Sequence, residues 1–168
     1  MALYTTIDSP LGELLLAGAP SATARGGTAL ASLSVPQQTR GATVQDGWRR
    51  DDAAFAEIVD QLGAYFAGEL TRFDLEFVSG GTAFQQRVWQ ALEDIPYGTT
   101  VSYGQIAERA GASRAAVRAV GTAIGRNPLL VVRPCHRVIG ANGSLAGYAG
   151  GLDRKERLLH LEGVAIGG

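Results

Sequence analysis

The sequence changes its period at Gly80-Gly81. Ahead of the two glycines, apolar residues fall in short alternating runs; behind them they recur at helical spacing. That switch predicts two units, residues 1–80 and 81–168, of α+β or α/β class: a small N-terminal mixed sheet with a helix, then a mostly helical C-terminal domain. In the first unit, Leu3-Tyr4-Thr5-Thr6-Ile7 and Leu14-Leu15-Leu16-Ala17 read as strands joined across Ser9-Pro10-Leu11-Gly12, and Ala29–Val35 as a third. The stretch 36–50 is polar and reads as a loop. Asp51 or Asp52 caps a helix carrying Phe55, Ile58, Val59, Leu62 and Phe66 and ending near Gly68. Arg72–Phe77 alternates and reads as one more strand.

In the second unit, Thr82 caps a helix that turns Phe84, Val88, Trp89 and Leu92 to a core and is stopped by Pro96. Ser102 with Gln105 three residues on makes a capping-box pattern for a second helix, ending at Gly111. Ser113 is placed to cap a third, ending near Gly125. Helix, brief turn, helix is the outline of a helix-turn-helix. The third helix is lined with small residues, Ala115, Ala116, Val117, Ala119, Gly121 and Ala123, and offers no Asn, Gln or Lys to read base edges. Such a surface suits either a narrow groove or tight packing on another helix. Arg118 in its middle weighs against burial, because an unpaired buried guanidinium is costly.

Charge adds to this. The 168 residues sum to −1, which on its face argues against a nucleic-acid partner. Residues 1–83, however, hold five basic groups against ten acidic, and residues 84–168 ten basic against six acidic, so −5 is masking +4. From Arg109 to Leu152 there are six arginines (109, 114, 118, 126, 133, 137) and no acid. A polyanion partner and a merely solvated Arg-rich surface are equally open on charge alone. Apolar residues at 46% and charged ones at 18% are a globular balance. No apolar run approaches the roughly 18 residues of a membrane span, and no basic flank precedes the first apolar stretch, so a cytoplasmic chain without a membrane partner is expected. One cysteine excludes an internal disulfide and, with two histidines, leaves no metal site to expect.

That cysteine sits in the run Asn127–Gly151, NPLLVVRPCHRVIGANGSLAGYAGG. The strand-like Leu129–Val132 delivers Pro134-Cys135-His136-Arg137 to its end. Cys135 is the strongest nucleophile among ordinary side chains once deprotonated, and an adjacent His136 flanked by Arg133 and Arg137 would lower its pKa. A buried inert cysteine and a hydrogen-bonded core histidine remain equally consistent with adjacency alone. The glycines from Gly140 to Gly151 let backbone approach a flat ligand, with Tyr148 as a stacking surface. Asp153–Glu162 closes the chain as a helix packing through Leu158, Leu159 and Leu161.

Taken in order, Phe84-Gln85-Gln86-Arg87-Val88-Trp89, Ile95-Pro96-Tyr97-Gly98, Ser102-Tyr103, Arg118-Ala119-Val120-Gly121, Asn127-Pro128, Pro134-Cys135-His136-Arg137-Val138, Gly147-Tyr148-Ala149-Gly150-Gly151, Lys155, Leu158-Leu159 and Glu162 resemble the O6-alkylguanine-DNA alkyltransferases. The resemblance is strong over about residues 82–163 and loose before them, where it implies a ribonuclease H-like fold. It implies repair of alkylated double-stranded DNA by a monomer that needs no cofactor. The alkyl group passes irreversibly from O6 of guanine to Cys135, and O4-alkylthymine is the second substrate it raises. Glu162 would polarise His136, which takes the Cys135 proton through a water, and Tyr103 would protonate the departing guanine. Val138, Tyr148, Ala149, Asn127 and Lys155 would form the base pocket, Asn127 bracing the turn after the recognition helix. Arg118, Val117, Ala119, Gly121, Ser102 and Arg126 would meet DNA in the minor groove, Arg118 entering the stack as the base flips out.

Three departures stand out. Ala149 lacks the hydroxyl that many members place near O6, the turn at Gly111–Arg114 is one residue longer, and no N-terminal cysteine exists for the zinc site of some members. Two other readings are a non-catalytic module that binds alkylated DNA and a cysteine hydrolase.

Overall fold

A computed structural model describes residues 2–165, apart from the Arg114 side chain. It divides into two compact units between Ser79 and Gly80.

In the first unit, β1 (Leu3–Ser9) and β2 (Gly12–Pro20) form an antiparallel hairpin. Ser9 Oγ ties its turn by donating to Gly12 O at 2.7 Å and accepting from Leu11 N at 3.1 Å. β3 (Thr28–Ser34) pairs antiparallel with β2, and the short β4 (Arg49–Arg50), inside the stretch expected to be loop, pairs parallel with β1. The order β3-β2-β1-β4 is a mixed sheet. At Gly18 the register slips, and a Cβ there would lie 2.4 Å from Ala29 O, so only glycine lets the strands stay paired. Asp51 Oδ1 accepts from Ala54 N, and a 3-10 turn leads into α1 (Ala56–Phe66). Phe55, Ile58, Leu62 and Tyr65 are buried, as are Leu14, Leu16, Leu30 and Leu33 of the sheet. The helix stops where expected, with Gly68 at φ 77 donating to Tyr65 O.

Arg72–Phe77 is not a strand. It makes one parallel bridge, Leu30 to Phe77, with Leu30 N donating to Glu76 O and Val78 N to Leu30 O. Two bonds do not make a ladder, and alternation alone could not reveal that.

In the second unit, α2 (Ala83–Glu93) opens on a capping box between Thr82 and Gln85. β5 (Val101–Ser102) leads into α3 (Tyr103–Arg109), which opens on a second between Ser102 and Gln105. Gly111, at φ 72, releases the chain into the turn before α4 (Val117–Gly125). Ser113 does not cap that helix: a 3-10 turn at Arg114–Ala116 intervenes, the cap position is Ala116, and no side chain fills it. Val120, Ala123 and Ile124 face inward, and Trp89 of α2 donates its indole N–H to Ala123 O at 2.9 Å. β6 (Val138–Ile139) pairs parallel with β5, and α5 (Leu152–Leu161) follows. No helix among the described residues is long and apolar enough to cross a membrane.

Candidate active site

Leu129–Val132 is a turn, not the strand its β-branched run suggests. Val131 has φ 70, Val132 N donates to Leu130 O at 2.8 Å, and Arg133 N to Leu129 O at 3.0 Å. A positive φ is strained for a β-branched residue. Two forces hold it: the apolar side chains of 129–132 are at most 6% exposed, and Asn127 clasps the turn from inside. The Asn127 amide donates to Leu129 O (3.3 Å) and Arg133 O (3.1 Å), while its Oδ1 accepts from Leu129 N at 3.0 Å. A tight turn at Pro134 (φ −78, ψ 61) follows, with Cys135 N bonded to Arg133 O at 2.7 Å. Cys135, His136 and Arg137 then form a single 3-10 turn, all three buried.

His136 and Glu162 are brought together at 2.8 Å, Nε2 to Oε2, with neither side chain exposed. Arg137, seven per cent exposed, grips the same carboxylate through Nε (2.7 Å) and Nη2 (3.0 Å) and donates Nη1 to Ile95 O at 2.6 Å. Nothing in the sequence marks this second partner of Glu162, because Arg137 reads there only as a charge flanking Cys135. Burial lowers the His136 pKa, Glu162 opposes that, and Arg137 and Lys155 reinforce it. The imidazole therefore stands neutral at pH 7, and Nδ1 has no hydrogen-bond partner.

The thiol differs from expectation. Burial pushes its pKa up to about 11, against the smaller opposing pulls of an Asn127 hydrogen bond and the charges of Lys155 and Arg133. The expected lowering fails because desolvation outweighs the nearby cations. Tyr103 lies near enough for its pKa to be raised by burial first and by Cys135 second, so its phenol keeps its proton. Lys155 of α5 is fully buried and donates Nζ to Val138 O (2.5 Å), Ala146 O (2.6 Å) and Gly147 O (3.2 Å), pinning the glycine-rich loop beside β6. Burial pulls its pKa down to about 8. Val138 is buried and Tyr148 and Ala149 are half-buried.

On α4, Arg118 and Ala119 are exposed and Val117 and Gly121 half-exposed. Arg126 is exposed at the helix's C-terminal cap. A methyl at Gly121 would sit 3.9 Å from the Tyr103 ring. Ser102 is half-buried and its hydroxyl is engaged in capping α3. Not all six arginines of the acid-free segment are available to a polyanion. Of the six arginines, Arg133 and Arg137 are interior and paired with Glu93 and Glu162. Arg109, Arg118 and Arg126 are the exposed ones among the described side chains. The described residues hold no cluster of metal-ligating side chains.

The turn that carries Cys135 lies within one of two stretches of the chain that match known domain families. Residues 83–164 match 6-O-methylguanine DNA methyltransferase, DNA binding domain, and residues 2–78 match 6-O-methylguanine DNA methyltransferase, ribonuclease-like domain. The chain belongs to the 6-O-methylguanine DNA methyltransferase family. Its two units are thus the ribonuclease-like and DNA-binding domains of that family. It is 55% identical to a methylated-DNA--protein-cysteine methyltransferase of Mycolicibacterium paratuberculosis, over 95% of this chain and 91% of the relative. It is 48% identical to one from Methanosarcina acetivorans, over 95% and 97%. Among solved structures, Mycobacterium tuberculosis OGT in complex with DNA superposes with a TM-score of 0.87 at 53% identity, over 96% of this chain and 93% of that one.

Proposed function

We propose that this chain is a DNA repair protein that removes the alkyl group from O6-alkylguanine in double-stranded DNA by single-turnover transfer to Cys135. The observation that carries the reading is the buried Cys135 turn with its His136–Glu162 bond of 2.8 Å, in a chain 55% identical to named methylated-DNA--protein-cysteine methyltransferases. Residues 81–168 carry the chemistry, and residues 1–80 form a separate α/β domain. The protein acts as a cytoplasmic monomer.

DNA meets the exposed face of α4 through the minor groove. Val117, Ala119 and Gly121 are small enough to let the helix approach, and Arg118 fills the stack as the damaged base leaves it. Arg126 extends the cationic edge of that face, and Ser102 holds the start of the helix that carries Tyr103. The base enters beside Val138, Tyr148 and Ala149, a pocket whose loop is held by Lys155 and whose floor is held by Asn127. Backbone N–H at Ala149 serves O6 in place of a side-chain hydroxyl.

The Cys135 proton moves through a water to His136 Nδ1, the ring nitrogen that Glu162 leaves available. Arg137 offsets part of the Glu162 charge, so the imidazole is neutral at rest and basic enough when the sulfur needs it. The sulfur then attacks the alkyl carbon in line, an S–C bond forms, and the C–O6 bond breaks. Its electron pair returns to the guanine, which takes a proton from the Tyr103 hydroxyl. A thiol resting near pKa 11 ionises only as the proton is drawn off, so attack is coupled to that transfer.

Intact mass after incubation with an O6-methylguanine duplex tests the reading. One methylene equivalent is gained at one per chain, and Cys135→Ser gains none. An unchanged wild-type mass despite tight binding would instead favour the non-catalytic module. Arg118→Ala slows repair of duplex DNA about tenfold or more, the cost of losing the group that stabilises the flipped state, while reaction with free O6-benzylguanine is preserved. Equal losses on both substrates would remove base flipping from Arg118.

A further inference from the structure

A second string of polar contacts reaches the turn before Cys135 through Asn127. It begins at Glu93, the last residue of α2, whose carboxylate accepts from Arg133 Nε at 3.1 Å. The same guanidinium lies 5.0 Å from the centre of the Trp89 ring and donates Nη1 to Asn127 Oδ1 at 3.4 Å. The Asn127 amide in turn clasps the turn that leads into Cys135, through Leu129 O and Arg133 O, and both Asn127 and the Arg133 charge pull the thiol toward ionisation against its burial. Arg133 is 7% exposed. A guanidinium in that setting loses several kcal/mol of hydration unless paired, and nothing in the transfer chemistry above employs it.

The contacts on Asn127 fix which way its amide points. Oδ1 accepts from both Leu129 N and Arg133 Nη1, and the two amide hydrogens go to the carbonyls of Leu129 and Arg133, on the turn that leads into Cys135. Removing the guanidinium takes away one of the two donors that enforce this orientation, and with it a positive charge beside the nucleophile. We propose that Arg133, anchored by Glu93 and Trp89, is a positioning residue for alkyl transfer: it holds the Asn127 clasp on the turn that carries Cys135 and stabilises the thiolate as it forms. The inference rests on the alkyl-transfer reading. The titratable and charged groups facing the sulfur are Tyr103 of α3, Lys155 of α5 and Arg133 itself, with His136 next in the chain and Glu93 behind Arg133. Arg133 and Lys155 both pull the thiol toward ionisation.

Glu93 supplies a test with a sign. Glu93→Gln keeps an acceptor for Arg133 but removes the charge that offsets it, so the thiol ionises more readily. Arg133→Met does the reverse, and Arg133→Lys restores the charge without the planar fork. Packing damage alone would move Glu93→Gln and Arg133→Met in the same direction. The full-length proteins are treated with iodoacetamide between pH 6 and 10, and modification of their single cysteine is followed by intact mass. At a given pH, Arg133→Met reacts about three- to tenfold slower than wild type and Glu93→Gln about threefold faster, a tenfold change corresponding to one pKa unit. Arg133→Lys recovers most of the rate. Unchanged rates, or shifts of the same sign in the Met and Gln variants, overturn the proposal. If Arg133→Met lacks a folded circular dichroism spectrum, Glu93→Gln decides alone, and a rate no faster than wild type overturns it. Methyl transfer from the O6-methylguanine duplex is measured in parallel. Its absence in wild type would sink the alkyl-transfer reading while leaving the thiol shifts readable.

Discussion

In the N-terminal unit Arg25 pairs with Glu57 and Asp74, Arg49 with Asp51 and Arg50 with Asp52, with arginine side chains 48–67% exposed. In the C-terminal unit Arg133 and Arg137 are under 10% exposed, Lys155 and Glu162 are buried, and the Glu162 carboxylate serves two partners at once. The first arrangement gains little, because water screens each pair and the side chains lose entropy in meeting. The second loses hydration that only saturated hydrogen bonding recovers. Charge is thus a surface property in one half and a means of setting proton positions in the other. Net charge per segment, the quantity a sequence offers, cannot tell the two apart.

Breaking a buried pair is the largest test of that contrast. Arg137→Met leaves Glu162 in the interior without its two-point partner, and stability falls by about 3–5 kcal/mol in urea unfolding. A loss under about 1 kcal/mol would make the pair no different from a surface one. The buried thiol gives a second, pH-dependent test. Its pKa rises from 9.0 to about 11 on folding. A raised folded pKa means the contribution is complete below pH 9 and is lost as pH climbs through 11. Relative to Cys135→Ser, wild type therefore loses roughly 2–3 kcal/mol across that window, at about 1.4 kcal/mol per pKa unit. A constant difference between the two proteins would show that the thiol titrates as if exposed. The smallest effect belongs to the surface: Arg25→Met changes stability by less than about 1 kcal/mol, and a loss above about 2 in the same assay would erase the distinction between the halves.

The parts of the fold legible in the sequence are those whose causes lie close together along the chain. Thr82 with Gln85 and Ser102 with Gln105 are complete capping boxes within four residues, and both helices start there. The Ser9–Gly12 turn and the Gly68 stop are local in the same way. The strand expected at Leu129–Val132 was lost to tertiary contacts. Val131 takes a left-handed conformation only because burial and the Asn127 clasp hold it there, and neither is visible in a run of Leu and Val. Ser113 has the residue type of a cap, but the chain winds one 3-10 turn further before α4 begins.

At the site, Cys135, His136 and Glu162 stand in recognisable sequence positions, and the structure brings the last two into contact across 26 residues. The partners of Arg133 and Arg137 lie 40 and 25 residues away, so both arginines read as free cations. The depression of the thiol pKa expected from neighbouring charge omitted the solvent that folding removes. One signal in the sequence points to the buried pairs: six arginines lie in a segment with no acid, and the two that flank Pro134-Cys135-His136, next to an apolar run, need counter-ions from elsewhere in the chain.

Gly121 gives α4 an unusual thinness. Where another residue would interpose a side chain, the helix presents only backbone toward the Tyr103 ring, and the first atom added would meet that ring in ordinary contact at 3.9 Å. A methyl fits in contact with the ring. Anything bulkier must tilt the phenol below or thicken the face above, so one position limits both the closeness of approach from outside and the posture of the tyrosine within.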